Sequence, residues 1–203
     1  GMFRPDHRYA LLDATGAPSA DLGTHPGEEG FLIATGGFES FSGHPHGKYT
    51  VAAVWGDEIL ISPNDDFTLR AFAFDGRPTR VIRLDLDAAP PTGADMESWF
   101  DAFTANDTPE ERRAFRETFE SFPLLESVPA FTDLVADALG FVWVRAFGGP
   151  PDGPGAWIVF DPEGKVVGRV ETPSGLDVYE IGADYVLGRV RDELDIESVQ
   201  LRP

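Results

Sequence analysis

The sequence predicts an all-β chain made of repeated four-strand antiparallel units, interrupted by a two-helix insertion. Three observations predict it. First, one strand–turn pattern recurs: Tyr9-Ala-Leu-Leu-Asp13-Ala-Thr-Gly16, Phe72-Ala-Phe-Asp75-Gly76 and Trp157-Ile-Val-Phe-Asp161-Pro-Glu-Gly164. Second, segments rich in Val, Ile, Phe and Leu, each bounded by turn residues, follow one another at short, regular spacing. Third, only between about residues 95 and 122 does the apolar spacing change to three and four residues, the period of a helix.

The recurring turns carry a mechanism. Glycine adopts the positive φ that a tight turn needs, and the Asp carboxylate accepts from nearby backbone amides. Two strands joined this way form a hairpin. In one unit the strands run Val51 to Trp55, Glu58 to Ser62, Phe67 to Phe74 and Thr79 to Leu84. In the next they run Phe131 to Asp137, Phe141 to Phe147, Ala156 to Asp161 and Lys165 to Glu171. A last unit has three, Val178 to Ile181, Tyr185 to Arg191 and Ile196 to Arg202. Four short antiparallel strands per repeat describe a β-propeller blade. The chain then holds about three to three and a half blades in one domain, residues 1–203, with Gly1 read as a tag remnant. Glu28 to Lys48 and Gly148 to Gly155 are Gly-rich and read as loops.

The insertion is legible from its ends. Asp95 to Phe103 places Met96, Trp99, Phe100 and Phe103 on one helical face. Thr108-Pro109-Glu-Glu111 opens a second helix, with Thr as cap and Pro at the first position. Phe115, Phe119 and Phe122 continue its apolar stripe, and Arg113/Glu117 and Arg116/Glu120 are spaced as ion pairs. Trp99, Phe103, Phe115 and Phe119 are expected to pack on the strand body.

Composition excludes several classes of function. Lys plus Arg number 16 against 35 Asp plus Glu, a formal charge of −19. Such a chain repels phosphate backbones and anionic lipid, so neither nucleic acid nor membrane insertion is expected. No apolar run reaches the length of a membrane helix and no signal segment is visible. The chain reads as soluble, of unknown compartment, and extracytoplasmic if a signal segment lies outside it. Cysteine is absent, which removes disulfides and thiolate chemistry. No serine-hydrolase elbow, zinc-protease helix, phosphate loop or dinucleotide fingerprint occurs, so no catalytic residue and no cofactor is assigned.

Some residues stand out nonetheless. His44-Pro-His46 would chelate a metal if extended, since residues i and i+2 share a face; Pro45 and the flanking glycines point to a solvated loop instead. Asp65-Asp66, Asp85/Asp87 and Asp192/Asp195 offer oxygen ligands, but at no EF-hand spacing. Trp55, Trp143, Arg145, Arg189 and Arg191 sit on strands and are the candidates for a channel or rim, with core packing the default reading of the two tryptophans. Alternation places Arg145 on the face of Trp143, either lining a channel or paired with a neighbouring acid.

Phe141-Val-Trp-Val-Arg-Ala-Phe147 with Val159-Phe-Asp-Pro-Glu-Gly164 resembles the blade signature of bacterial six-bladed β-propeller proteins of the NHL/TolB-like kind. Ile181-Gly-Ala-Asp-Tyr-Val-Leu-Gly188 with Arg191-Asp-Glu-Leu-Asp-Ile-Glu-Ser-Val199 resembles their last blade. The resemblance spans about Val51 to Pro203. It implies a propeller and, since members are mostly uncharacterised, a binding or scaffold module rather than one activity. Lactonase-type members would imply a hydrolase with a calcium-like ion held by carboxylates and Asn; here only Asn64 and Asn106 are available. A third reading is a structural half-propeller completed by another chain. Too few strands are present for six blades, so self-association through the terminal units, as a homodimer, is expected.

Overall fold

The computed structural model describes residues 2–35, 38–86, 90–123, 125–148, 153–192, 194 and 196–203. It is all-β with two helices. In chain order the first strands are β1 (Met2–Phe3), β2 (Asp6–Leu12), β3 (Pro18–Pro26), β4 (Gly30–Thr35) and β5 (Phe38–Gly43). A four-stranded meander follows, of β6 (Thr50–Trp55), β7 (Glu58–Pro63), β8 (Thr68–Ala73) and β9 (Pro78–Arg83). Helices α1 (Gly93–Phe103) and α2 (Pro109–Phe119) come next. A second meander holds β10 (Phe131–Ala136), β11 (Val142–Ala146), β12 (Gly155–Phe160) and β13 (Val166–Thr172). The last sheet has three strands, β14 (Asp177–Ile181), β15 (Val186–Arg191) and β16 (Glu197–Arg202).

These sheets stack as blades do. The first strands β6, β10 and β14 lie side by side. Between the two meanders sits the main core: Trp55, Leu60, Leu69, Ala71 and Ile82 from one sheet against Phe131, Leu134, Val142, Val144, Ile158 and Phe160 from the other. Alternation sends Ile59 and Ile61 to the opposite side, where the β2–β3 hairpin covers them with Leu22, Tyr9 and Leu11. The other face of β10–β13 carries Trp157 and Val159, both buried, on the side where β14–β16 lies.

The turn glycines serve the stack as well as the hairpins. Gly76 has φ +86° and Gly164 φ +83°. A Cβ on Gly76 would approach the Asp21 carbonyl oxygen to 2.5 Å, and one on Gly164 would approach Ile82 to 2.8 Å. Each turn thus touches the neighbouring sheet through a glycine. The Asp of each loop works as the sequence implies: Asp13 accepts from the Thr15 and Ala17 amides, and Asp161 from that of Lys165. Asp137 and Asp192 do the same in two further turns. Asp13, Asp137, Asp161 and Asp192 are thus spent on turns.

Two expectations need correction. Glu28 to Lys48 is not a loop: β4 pairs with β5 from Gly30↔Gly43 to Thr35↔Phe38, and β1 joins the other edge of β4. Glycine content concealed the alternation there. Of the predicted loop Gly148 to Gly155, residues 149–152 lie outside the described residues, and Gly155 opens β12.

The helices form as predicted, but pack differently. Thr92 and Thr108 both make capping boxes, with Asp95 and Glu111 reaching back to the cap amides. Trp99 stacks on Phe103 and Phe119, with ring centroids 4.8 and 5.9 Å away. Phe100, not Phe103, is the residue fully buried between the helices, and Phe103 keeps 59% exposure. Arg116 lies 3.5 Å over the Phe100 ring and bridges to Glu97 at 2.7 Å, so it pairs across the helices rather than with Glu120. The helical pair leans on the β4–β5 sheet through Phe122 and Phe31, 4.9 Å apart. Among the described residues no helix is long and apolar enough to cross a membrane.

Candidate functional site, the mouth at the first strands

Three first strands bring their starting ends together. Tyr49 precedes β6, Asp133 lies near the start of β10, and Asp177 opens β14. Tyr49 donates its hydroxyl to the Thr132 carbonyl oxygen at 2.8 Å, joining the two meanders. Burial, and then the negative charge of Asp133, push the Tyr49 hydroxyl up to about 12, with Arg145 opposing. It is a proton-bearing donor at neutral pH.

Asn64 locks the same end. It is fully buried; its side-chain oxygen accepts from the Tyr49 amide at 2.7 Å and its side-chain nitrogen donates to the Phe131 carbonyl at 2.9 Å. Its own carbonyl accepts from the Ala130 amide. Asn64 is thus consumed as an inter-sheet clamp rather than left free for an ion.

Asp133 stands directly opposite Arg145 in the β10–β11 ladder, where a bulge between Phe131 and Asp133 re-aims the strand. Their charged atoms are 3.9 Å apart. The Arg145 side chain is only 23% exposed, and among the described residues Asp133 is its one ion-pair partner. Arg145 Nε lies near Gly155, where a Cβ would meet Thr172 Oγ1 at 2.6 Å and Trp157 Nε1 at 2.9 Å. The Asp133 side chain keeps 54% exposure although the chain crowds around it. That crowding raises its pKa; Arg145 pulls it down and the Asp177 charge pushes it up again.

The remaining rim candidates divide between this mouth and the core. Arg189 pairs with Asp177 and with Glu197, each at 2.6 Å, and Arg191 with Glu197 at 2.9 Å. So the alternating arginines do pair with neighbouring acids. Trp55 is buried in the core, donates from Nε1 to the Gly140 carbonyl at 2.6 Å and lies under the Arg80 guanidinium. Trp143 is half-buried and donates to Asp137 at 2.9 Å. Neither tryptophan is at the mouth.

His44 and His46 are buried, against the expectation of a solvated loop. The His46 amide donates to His44 Nδ1 at 3.1 Å, which places the His44 proton on Nε2, and Nε2 donates to the Pro123 carbonyl at 3.1 Å. Both His44 nitrogens are therefore committed and do not chelate. His46 packs edge-on against Phe147, 5.2 Å away, and its buried Nδ1 has no partner among the described residues. Burial lowers both pKa values. Among the described residues no three His, Cys, Asp or Glu side chains gather as a metal site. Asp65 is instead bonded to Arg4 at 2.7 Å, while Asp87 and Asp195 lie outside the described residues.

Tyr49 was missed from sequence. Its only signal was its place one residue before a first strand. No protein-family model and no curated protein matches this chain.

Proposed function

We propose that the protein is a non-enzymatic binding module of the propeller type, and that its ligand is a small polar molecule taken at the mouth formed by Tyr49, Asp133, Arg145 and Asp177. One observation carries this reading: Arg145 is three-quarters buried yet makes no hydrogen bond among the described residues, and its ion pair with Asp133 is stretched to 3.9 Å. A guanidinium has five donors. Held by the fold with those donors unspent, beside a carboxylate acceptor, it suits a ligand that presents an acceptor and a donor together. Arg189 and Arg191 extend the same alternation of charge along the rim. The Tyr49 hydroxyl is engaged to the Thr132 carbonyl rather than to a carboxylate that would activate it.

The experiment is an NMR titration of the full chain with a panel of monosaccharides and N-acetylated amino acids, following the Arg145 side-chain and Thr132–Asp133 backbone resonances. Saturable shifts at these positions, lost in Arg145→Ala, support the reading. A panel that shifts nothing at the mouth, or binding that Arg145→Ala leaves unchanged, overturns it.

A further inference from the structure

The stack leaves one blade face bare. Residues opposite one another in a ladder share a face, so Asp177, Arg189 and Val199 lie together, as do Glu180, Leu187 and Leu201, and Arg191 with Glu197. The opposite face of this sheet, with the buried Ile181, is turned toward β10–β13, whose β10–β11 turn donates the Ala138 amide to the Ile181 carbonyl. The outward face is therefore open. Val199 is 71% and Leu201 64% exposed.

The internal repeat says what kind of surface this is. Arg145 holds in β11 the place that Arg189 holds in β15, each opposite an Asp of the first strand. Trp143 and Leu187 match two residues earlier, and Trp157 and Val159 occupy the third-strand positions of Val199 and Leu201. In β10–β13 that face is covered by the next sheet, and Trp157 and Val159 are buried. In β14–β16 the same face has the same apolar alternation and no cover among the described residues.

We propose that the outer face of β14–β16 docks a second copy of this chain, face to face across a two-fold axis. Charge and polarity select this occupant. The face sets Arg189 and Arg191 against Asp177, Glu180 and Glu197, most of them already paired, so it is nearly neutral on a chain of net charge −19. Two copies meet there without the repulsion they feel elsewhere. Sheets packing face to face bury alternate apolar residues from both sides. The outer face of the β2–β3 hairpin is a poorer match. It shows the exposed Arg8–Asp21 ion pair beside Ala10 and a single large apolar side chain, Leu12, so it would set charge against Val199 and Leu201. The like-on-like dimer therefore replaces ring closure between opposite ends. The face shares Asp177, Arg189 and Arg191 with the mouth and its rim, but the observation that carries it, the exposed Val199 and Leu201, lies outside the mouth.

The test is multi-angle light scattering of the full chain over a dilution series, with Val199→Asp, Leu201→Asp and Ala10→Arg, each checked for an unchanged circular-dichroism spectrum. We expect a particle of twice the 22.1 kDa chain mass. Either Asp variant should weaken the dimer about 100-fold or more, while Ala10→Arg leaves it intact, because central apolar positions dominate such interfaces. A monomer at about 100 μM chain overturns the proposal, as that excludes even a weak dimer. So does a dimer insensitive to both Asp variants. A dimer broken by Ala10→Arg would assign the contact to the hairpin end instead.

Discussion

Arg189 faces Asp177 across the β14–β15 ladder at 2.6 Å, repeating one blade later the pairing of Arg145 with Asp133, which is held at 3.9 Å. The difference lies in the third strand. Glu197 of β16 also bonds Arg189 and steadies it, whereas β12 opposes Arg145 with Trp157. The same two residue types thus make a close, doubly bonded pair in one sheet and, among the described residues, a guanidinium without hydrogen bonds in the other.

That electrostatic arrangement is measurable. Removing the Arg145 charge leaves burial and Asp177 acting on Asp133, so Arg145→Ala should raise the Asp133 pKa further. Asp177→Asn should lower it, since the like charge is gone. Carboxyl-carbon NMR titration of Asp133 in the two variants checks both directions; shifts of the same sign would contradict the geometry.

The buried histidines make stability depend on acid. Both are neutral when folded, with pKa below the ordinary 6.5. A depressed folded pKa contributes stability above the unfolded value, lost as pH falls through the folded one. Stability should therefore decline from about pH 6.5 downward, because the unfolded chain takes up protons that the folded chain refuses. Geometry adds to this: a proton on His44 Nδ1 would meet the His46 amide that now donates to it. His44→Gln with His46→Gln should flatten that part of the profile. Urea midpoints measured between neutral and mildly acid pH decide it.

The helical pair separates buried from exposed aromatics. Phe119→Ala should cost about 3–5 kcal/mol and Phe100→Ala a similar amount, as each leaves a cavity among packed rings. Phe103→Ala should cost under about 1 kcal/mol, because Phe103 already faces water. Chemical denaturation of the three variants provides the comparison. Equal losses would mean the helices do not pack as described.

Asn64 is the residue whose loss should loosen two blades at once. In Asn64→Ala the Tyr49 amide loses its side-chain partner and the Phe131 carbonyl loses a donor, both deep between sheets. At roughly 1–3 kcal/mol for each unsatisfied buried group, we expect a loss of about 3 kcal/mol. Hydrogen exchange should quicken at the starts of both β6 and β10; a change confined to one sheet would argue against the clamp.

Local signals carried most of the fold. Period-two alternation, Asp–Gly turns and Thr caps depend on residues close in sequence, so Glu58, Val142 and Thr108 revealed their elements unaided. The β4–β5 hairpin was hidden because Gly30 and Gly43 replace side chains that would have marked alternate faces. A Cβ on Gly30 would in fact meet the Ser42 carbonyl at 2.3 Å.

What the sequence determined by itself was the kind of unit, four strands with Asp-bearing turns, its repetition, the capped helical insertion, and an acidity that repels polyanions. These follow from dihedral preference, alternation and net charge, which need no partner distant in the chain. Only the tertiary structure decided which side chains meet. It buried His44 and His46, spent Asn64 on a clamp, sent Trp55 to the core and gathered Tyr49, Asp133, Arg145 and Asp177 at one mouth. The physical reason is that a residue's face is local, whereas what covers that face depends on the stacking of sheets tens of residues apart. The same alternation that buries Trp157 and Val159 leaves Val199 and Leu201 in water.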